Sequence, residues 1–92
     1  MKYIKILVEY NSDILTFICD NNRHLVCLPY SIPNLHQMAK ELNIARSWYH
    51  SSNNKHHYDI PKKRITEIQS KCIIVSSKTI VRIINGEITD LS

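Results

Sequence analysis

The chain has 92 residues and a mass of 10.8 kDa, a length that suits one compact domain. A composition that is 43% hydrophobic and 22% charged, with one Gly and three Pro, excludes low-complexity, collagen-like and disordered chains. Twelve basic and eight acidic residues give a net charge of +4. We therefore expect a single folded domain over residues 1–92.

The apolar runs and the cysteines indicate the compartment. No apolar run is long enough for a membrane span or a signal-peptide core, so we expect no membrane partner and a cytoplasmic location. Cys19, Cys27 and Cys72 are odd in number and form no CxxC pair, which supports neither a disulfide framework nor a thiolate zinc site. We predict that they are reduced thiols.

Alternating apolar residues predict β-structure in the first third of the chain. The alternation in Tyr3–Tyr10 is repeated in Ile14–Cys19, and the polar residues between them predict a hairpin. A second turn signal at residues 20–22 precedes the apolar run Leu25–Leu28, which is consistent with a third strand. Pro29 is expected to end it.

Two apolar stripes at helical spacing predict two helices. Ser31 can cap the first helix, with Pro33 in its first turn, and Pro61 is expected to be the first residue of the second. A long polar connection at residues 46–59 joins them, and Cys72–Val75 favours a strand. The periodicity predicts a common core that contains Ile6, Leu35, Met38, Leu42, Ile65, Ile68 and Ile74.

The segment from Ser76 to Gly86 has two interpretations. Its β-branched residues and the Asn85-Gly86 dipeptide favour two final strands. Alternatively, Ser76 or Ser77 caps a short helix that ends at Gly86. Local propensity prefers strands. The predicted fold is thus α+β or small α/β, with an N-terminal hairpin or three-strand meander, two helices, and a C-terminal strand followed by a short helix or hairpin.

Short blocks in a fixed order between residues 24 and 84 resemble a known family. The blocks are His24-Leu25-Val26, Leu35-His36-x-Met38-Ala39, Leu42-Asn43-Ile44, Arg46-x-Trp48-Tyr49, His57-Tyr58-Asp59-Ile60, Lys63-Arg64 and Ser76-Ser77. They resemble the bacterial and phage family named domain of unknown function 4031. The resemblance implies a small α/β domain with a short final helix, and it implies no established activity.

The chain departs from that family pattern in two places. Asn43 stands where the family commonly has glycine, and the N-terminal hairpin replaces a short strand with an early Asp. We therefore expect no function that depends on that Asp.

The positive charge is concentrated in the second half of the chain. Residues 46–82 hold eight cationic residues against Asp59 and Glu67, a net charge of +6, whereas residues 1–45 are balanced. Such a segment favours phosphate-bearing partners, because neutralised phosphates release counterions. The alternative is a basic surface that serves solubility.

The candidate ligand site lies within this basic segment. Cations in the first turn of the second predicted helix oppose its dipole, and a bound phosphate would resolve that conflict. The loop before it offers a guanidinium, aromatic stacking faces and a pH-sensitive donor. The predicted ligand-binding residues are Arg46, Trp48, Tyr49, His57, Tyr58, Asp59, Lys62, Lys63 and Arg64.

Each of these residues also has a structural alternative. The cations Lys62, Lys63 and Arg64 can point into water, Trp48 can cover the core, and Asp59 can cap the second helix.

The histidines invite a metal or acid-base hypothesis. His50, His57 and Asp59, together with His36 or His24, include suitable ligand types. No HxH, HExxH or CxxC spacing makes them converge, so the sequence predicts no metal, no cofactor and no catalytic residue.

Three classes of function follow from these residues. The first is a non-enzymatic binder of a phosphate-bearing ligand, either a nucleotide-type small molecule or a nucleic acid, of the phage accessory or anti-defence kind. The second is an inhibitor that docks on a host protein through its basic face. The third is a small hydrolase or nuclease that uses His57 with Asp59 or another histidine. The sequence also leaves a homo-oligomer open.

Overall fold

The computed structural model describes residues 14–91 as a small α+β fold. Within that range lie the strands β1 (Thr16–Cys19), β2 (His24–Leu28), β3 (Tyr49–His50), β4 (His57–Asp59) and β5 (Ile73–Ile74). The α-helices are α1 (Ile32–Glu41), α2 (Ile65–Gln69) and α3 (Ser77–Ile84). Single 3₁₀ turns occur at Arg46–Trp48, Ser52–Asn54 and Lys62–Arg64.

The five strands form one mixed sheet in the order β3-β4-β2-β1-β5. The β1–β2, β2–β4 and β3–β4 pairs are antiparallel, and β5 lies parallel to β1. The predicted fold class is confirmed, and β1 and β2 correspond to the second and third predicted strands. Both predicted helices are present, but the second begins at Ile65 and not at Pro61. The predicted strand Tyr3–Tyr10, and with it the predicted N-terminal hairpin, lies outside the described residues.

Local signals define both ends of α1. The Ser31 hydroxyl accepts a hydrogen bond from the Asn34 backbone N–H at 3.1 Å, as an N-cap does. At the other end Asn43 has a φ of 59°, and the Ile44 N–H bonds the Ala39 carbonyl at 2.7 Å. This is the bond that closes a Schellman motif. Asn tolerates the left-handed conformation, so it can replace the glycine usual at this position.

The core lies between the sheet and the helices. Most of the predicted core residues that the structure describes are buried, namely Leu35, Met38, Leu42 and Ile68. The prediction for Ile74 is wrong, because β5 is an edge strand and 49% of Ile74 is exposed. Ile65 is half-buried against the core, and Ile6 lies outside the described residues.

The last segment is a helix, so the preference for two final strands was wrong. Ser76 caps α3 by accepting from the Thr79 N–H at 3.1 Å, and Ile80 and Ile83 bury its apolar face. Gly86 has a φ of 79°, and the Glu87 N–H bonds the Arg82 carbonyl at 2.9 Å. The Asn-Gly pair therefore ends a helix, as the family resemblance implied.

The helices within residues 14–91 do not combine the length and hydrophobicity that a bilayer crossing requires.

The connection predicted as a loop at residues 46–59 contains the β3–β4 ladder. His50 pairs with His57 and Tyr49 with Tyr58, so the register fixes which side chains share a face of the sheet. The hypothesis that Asp59 caps the second helix is wrong. Asp59 is the last residue of β4, and α2 has no side-chain cap.

The three cysteines are free thiols. Cys19 and Cys27 are buried, and Cys72 is partly buried. Burial raises the pKa of Cys27 to about 12 and that of Cys72 to about 12. At neutral pH these two thiols are therefore protonated and weakly nucleophilic.

Candidate functional site

The structure does not bring the predicted ligand-binding residues together in one site. Arg46 and Tyr58 lie in a groove beside α1. Trp48, Lys62 and Lys63 lie in a second groove. The other four predicted residues lie elsewhere. His57 and Asp59 contact each other, and Arg64 is bound to backbone carbonyls. Tyr49 packs against the rings of His36 and Tyr58.

The groove beside α1, called here the α1 groove, has a volume of about 480 Å³. His36 and Lys40 are four residues apart on α1, so they lie on one face of the helix. The Arg46–Trp48 turn brings Arg46 to the same groove. The groove is lined by Pro33, His36, Gln37, Ala39, Lys40, Asn43, Ile44, Arg46 and Tyr58.

A chain of polar contacts runs along the wall of the α1 groove. The Tyr58 hydroxyl lies 2.7 Å from His36 Nδ1, and the two rings meet edge-on with centroids 5.8 Å apart. Arg46 lines the same groove, and its positive charge acts on both groups.

The pKa values of His36 and Tyr58 are both shifted in this groove. Desolvation and the positive charge of Arg46 both lower the pKa of His36, which favours the neutral ring. Burial raises the pKa of Tyr58, although Arg46 acts against this shift. At neutral pH the lasting positive charges of the α1 groove are therefore Lys40 and Arg46.

Tyr49 supports the wall of the groove. Its ring centroid is 4.7 Å from that of His36 and 5.4 Å from that of Tyr58. Its hydroxyl lies 2.6 Å from His56 Nδ1. Since Tyr49 is half-buried and Tyr58 is only 1% exposed, neither ring offers a wide stacking face.

The second groove, called here the Trp48 groove, has a volume of about 470 Å³ and is lined by Arg23, Trp48, Pro61, Lys62 and Lys63. Trp48 is half-buried and packs against the core, which agrees with the alternative that it covers the core. It also borders this groove. The two lysines extend from an exposed 3₁₀ turn. The groove thus combines cations with an aromatic surface.

Arg64 has a structural role. Its guanidinium donates to the Leu42 carbonyl and to the Asn43 carbonyl, both at 2.7 Å, and it also pairs with Glu67. These bonds satisfy the carbonyls at the end of α1. Arg64 therefore ties α1 to α2 and contacts neither groove.

The expected anion site at the N-terminus of the second helix was wrong in its geometry. The residues Lys62–Arg64 form a 3₁₀ turn, and α2 itself starts only at Ile65 and has five residues. The Arg64 N–H is already bonded to the Pro61 carbonyl at 2.8 Å. Lys62 and Lys63 keep their accessible charges without a helix dipole beneath them.

His57 and Asp59 belong to a separate cluster. His57 Nε2 lies 3.3 Å from Asp59 Oδ1, and His50 Nε2 lies 3.0 Å from Asp59 Oδ2. The ring of His24 meets that of His57 edge-on, with centroids 5.3 Å apart. We call His24, His50, His57 and Asp59 the His–Asp cluster.

Asp20 orients one member of this cluster. Its carboxylate is 1% exposed and lies 2.7 Å from His24 Nδ1. It also accepts from the Ser77 hydroxyl at 2.6 Å and from the Asn22 backbone N–H at 2.8 Å. Burial alone would raise the pKa of Asp20, but the hydrogen bonds from Ser77 and His24 outweigh it and lower the pKa below the ordinary value.

Sequence reasoning missed several residues of these sites. Lys40 was not among the predicted ligand-binding residues, although its spacing from His36 places both residues on one face of α1. Arg23 lines the Trp48 groove, and its guanidinium donates to the Ile60 carbonyl at 3.1 Å. Asp20 meets Ser77 across 57 residues of chain, a contact that no local motif signals.

The profile of a family described as protein of unknown function (DUF4031) matches residues 20–86. The chain belongs to this family. The match contains both grooves and all four residues of the His–Asp cluster. Searches of curated proteins and of solved structures return no match to this chain.

Proposed function

We propose that this DUF4031 protein binds a phosphate-bearing ligand, and that the ligand is the backbone of a nucleic acid. The observation that carries the proposal is the position of the Arg46–Trp48 turn. Arg46 lines the α1 groove, and Trp48 lines the Trp48 groove. One short turn therefore joins two basic grooves.

The charges of the two grooves support a polyanion. Lys40 and Arg46 in the α1 groove, and Arg23, Lys62 and Lys63 in the Trp48 groove, are cationic, and the lining includes no carboxylate. Two separated groups of cations suit phosphates that are spaced along a strand better than the phosphates of one nucleotide. Trp48 lines the second of these grooves and provides a surface on which a base can stack.

The proposed site differs from the set of residues that the sequence indicated. Asp59 is left out because its carboxylate would repel a phosphate, and Arg64 is left out because carbonyls and Glu67 occupy its guanidinium. Tyr49 and Tyr58 support the wall of the α1 groove. The contacts to the ligand are assigned to His36, Lys40, Arg46, Trp48, Lys62 and Lys63.

Free thiols suit a reducing compartment, so we place this activity in the cytoplasm. A small protein that covers a nucleic-acid strand would suit a phage accessory or anti-defence role.

The test is a binding titration with a labelled single-stranded oligonucleotide over a range of salt concentrations. Arg46→Ala and the double variant Lys62→Ala/Lys63→Ala should weaken binding, and each should reduce the salt slope by about 0.7 per lost phosphate contact. Lys71→Ala/Lys78→Ala removes two exposed charges outside the grooves and is the matched control for the double variant. Quenching of Trp48, the only Trp of the chain, reports stacking in the same titration.

The outcomes separate the candidate functions. A raised melting temperature with mononucleotides, without oligonucleotide binding, would replace the polymer with a small ligand. If neither binds, or if the control double variant weakens binding as much as Lys62→Ala/Lys63→Ala, the proposal fails and a protein partner becomes the better candidate. Cleavage of the oligonucleotide that Asp59→Asn abolishes would favour the hydrolase or nuclease, for which the His57–Asp59 contact is the supporting observation.

A further inference from the structure

The register of the sheet brings four potential metal ligands together. His24 on β2 is paired with Asp59 on β4, and His50 on β3 is paired with His57. Because side chains alternate along a strand, His57 and Asp59 project from the same face of β4. The donor atoms of His24, His57 and Asp59 all lie within 4.8 Å of one another.

The hydrogen bonds of both imidazoles leave the right nitrogen available. His57 Nδ1 lies 2.8 Å from the Lys55 carbonyl, which can only accept, so Nδ1 carries the proton. His24 Nδ1 faces the Asp20 carboxylate at 2.7 Å and likewise donates. In the neutral rings the lone pair is then on Nε2 of each histidine. Metal-binding histidines use this arrangement, in which an outer carboxylate or carbonyl fixes the tautomer.

The separation of His57 and Asp59 suits two ligands of one metal ion. His57 Nε2 lies 3.3 Å from Asp59 Oδ1. Ligand atoms about 2.0–2.1 Å from a tetrahedral zinc ion are about 3.3–3.4 Å apart, which matches the observed separation.

We propose that His24 Nε2, His57 Nε2 and Asp59 Oδ1 bind one divalent transition-metal ion of the zinc class. Two imidazoles and one carboxylate favour such an ion over Mg²⁺ or Ca²⁺, which prefer sites made of oxygen ligands alone. His50 acts on the other carboxylate oxygen, at 3.0 Å, and holds Asp59 with Oδ1 toward the metal. Asp20 is the positioning residue for His24.

Three protein ligands leave a coordination position for water or a ligand. His24 and His57 also line a cavity of about 110 Å³ together with Lys55, Ser77, Ile80, Val81 and Ile84. The proposed centre therefore borders a small, mostly apolar space.

The test is calorimetric titration of the full chain, freed of metal with EDTA, with ZnCl₂ near neutral pH. We expect saturation at one zinc ion per chain and a higher melting temperature when zinc is present. His24→Gln, His57→Gln and Asp59→Asn should each weaken zinc binding by more than the roughly 10–100-fold that the loss of an outer partner costs. His56→Gln is the matched control, because His56 contacts Tyr49 outside the cluster.

Asp20→Asn should weaken zinc binding by about 10–100-fold if Asp20 positions His24. Because Asp20 is buried, the circular dichroism spectrum of Asp20→Asn must match that of the parent, which shows that the variant is folded. Ser77→Ala, which removes one donor to the same carboxylate, is the milder second variant and should weaken binding less.

Three results would overturn the proposal. The first is the absence of saturable one-to-one zinc binding. The second is an equal loss of affinity in His56→Gln and His57→Gln. The third is zinc binding that Cys72→Ser abolishes and Asp59→Asn leaves intact, which would assign the ion to the thiols.

Discussion

Helix α1 and the segment from Arg46 to Arg64 are held in place by different interactions. In α1 the anchoring residues are apolar and buried, and they recur at helical spacing, as Leu35, Met38 and Ala39 do. The segment from 46 to 64 buries Tyr58 and Ile60, and many of its other contacts are polar. The Tyr30 hydroxyl donates to the His56 carbonyl at 2.8 Å, for example.

The type of anchoring decides which side chains remain available to contact a ligand. A helix anchored by apolar contacts can leave its outer face free, and α1 presents His36 and Lys40 there. A segment anchored by polar contacts uses some of its charged residues for structure. Arg64 is one of these, whereas its neighbour Lys63 is exposed and lines the Trp48 groove. Adjacent cations of the same basic segment therefore have different roles.

The comparison predicts the largest loss of stability for truncation in the apolar anchor of α1. Leu35 is fully buried, so Leu35→Ala should lower the free energy of unfolding by about 2–5 kcal/mol. Gln37→Ala, on the exposed face of the same helix, should change it by less than about 0.5 kcal/mol. Urea denaturation measures both. Equal midpoints for the two variants would show that the face of α1 is assigned wrongly.

Arg64→Ala should have the next largest effect. It leaves the Leu42 and Asn43 carbonyls without their guanidinium donor, so we expect a lower urea midpoint than in the parent. Lys63→Ala removes a positive charge from the neighbouring residue and should leave the urea midpoint unchanged.

Oligonucleotide binding by the same two variants should show the opposite order. Lys63→Ala should weaken binding and Arg64→Ala should not, provided that both remain folded. A loss of binding in Arg64→Ala without a loss of stability would return this residue to the ligand site.

Much of the fold could be predicted from the sequence, because apolar periodicity and caps are local signals. Ser31 and the apolar stripe of α1 are within a few residues of one another and defined the helix correctly. The segment from Ser76 to Gly86 was misjudged because β-branched residues and Asn-Gly suit both a hairpin and a helix end. Burial of Ile80 and Ile83 against the sheet decides for the helix, and burial is not a local property.

The sequence could identify many residues of the candidate site, but not which of them lie together in the structure. Arg46, Trp48, Lys62 and Lys63 were recognised from charge and aromatic character. Their division into two grooves depends on the β3–β4 pairing, and short polar strands such as His57–Asp59 lack the apolar alternation that signals a strand. The approach of His24 to Asp59 is likewise a matter of register between β2 and β4. Spacing in the sequence gives no access to it.

The smallest predicted effect is a pH dependence of the free energy of unfolding. It arises from His36 on α1 and depends on Arg46 in the segment from 46 to 64. Desolvation and Arg46 lower the pKa of His36, so the folded state disfavours protonation of this ring more than the unfolded state does. A group with a lowered pKa contributes stability above its unfolded pKa of about 6.5, and that stability is lost as the pH falls below this value. We therefore expect the free energy of unfolding to decrease between pH 7 and pH 5.

The decrease should be smaller in His36→Asn, whose amide can still pair with the Tyr58 hydroxyl but does not titrate. Arg46→Ala should also flatten the profile, because it removes one of the two causes of the shift. The informative quantity is the difference between the profiles of parent and variant. Identical profiles for the parent and His36→Asn would mean that His36 titrates alike in both states, and that Arg46 does not act on it across the α1 groove.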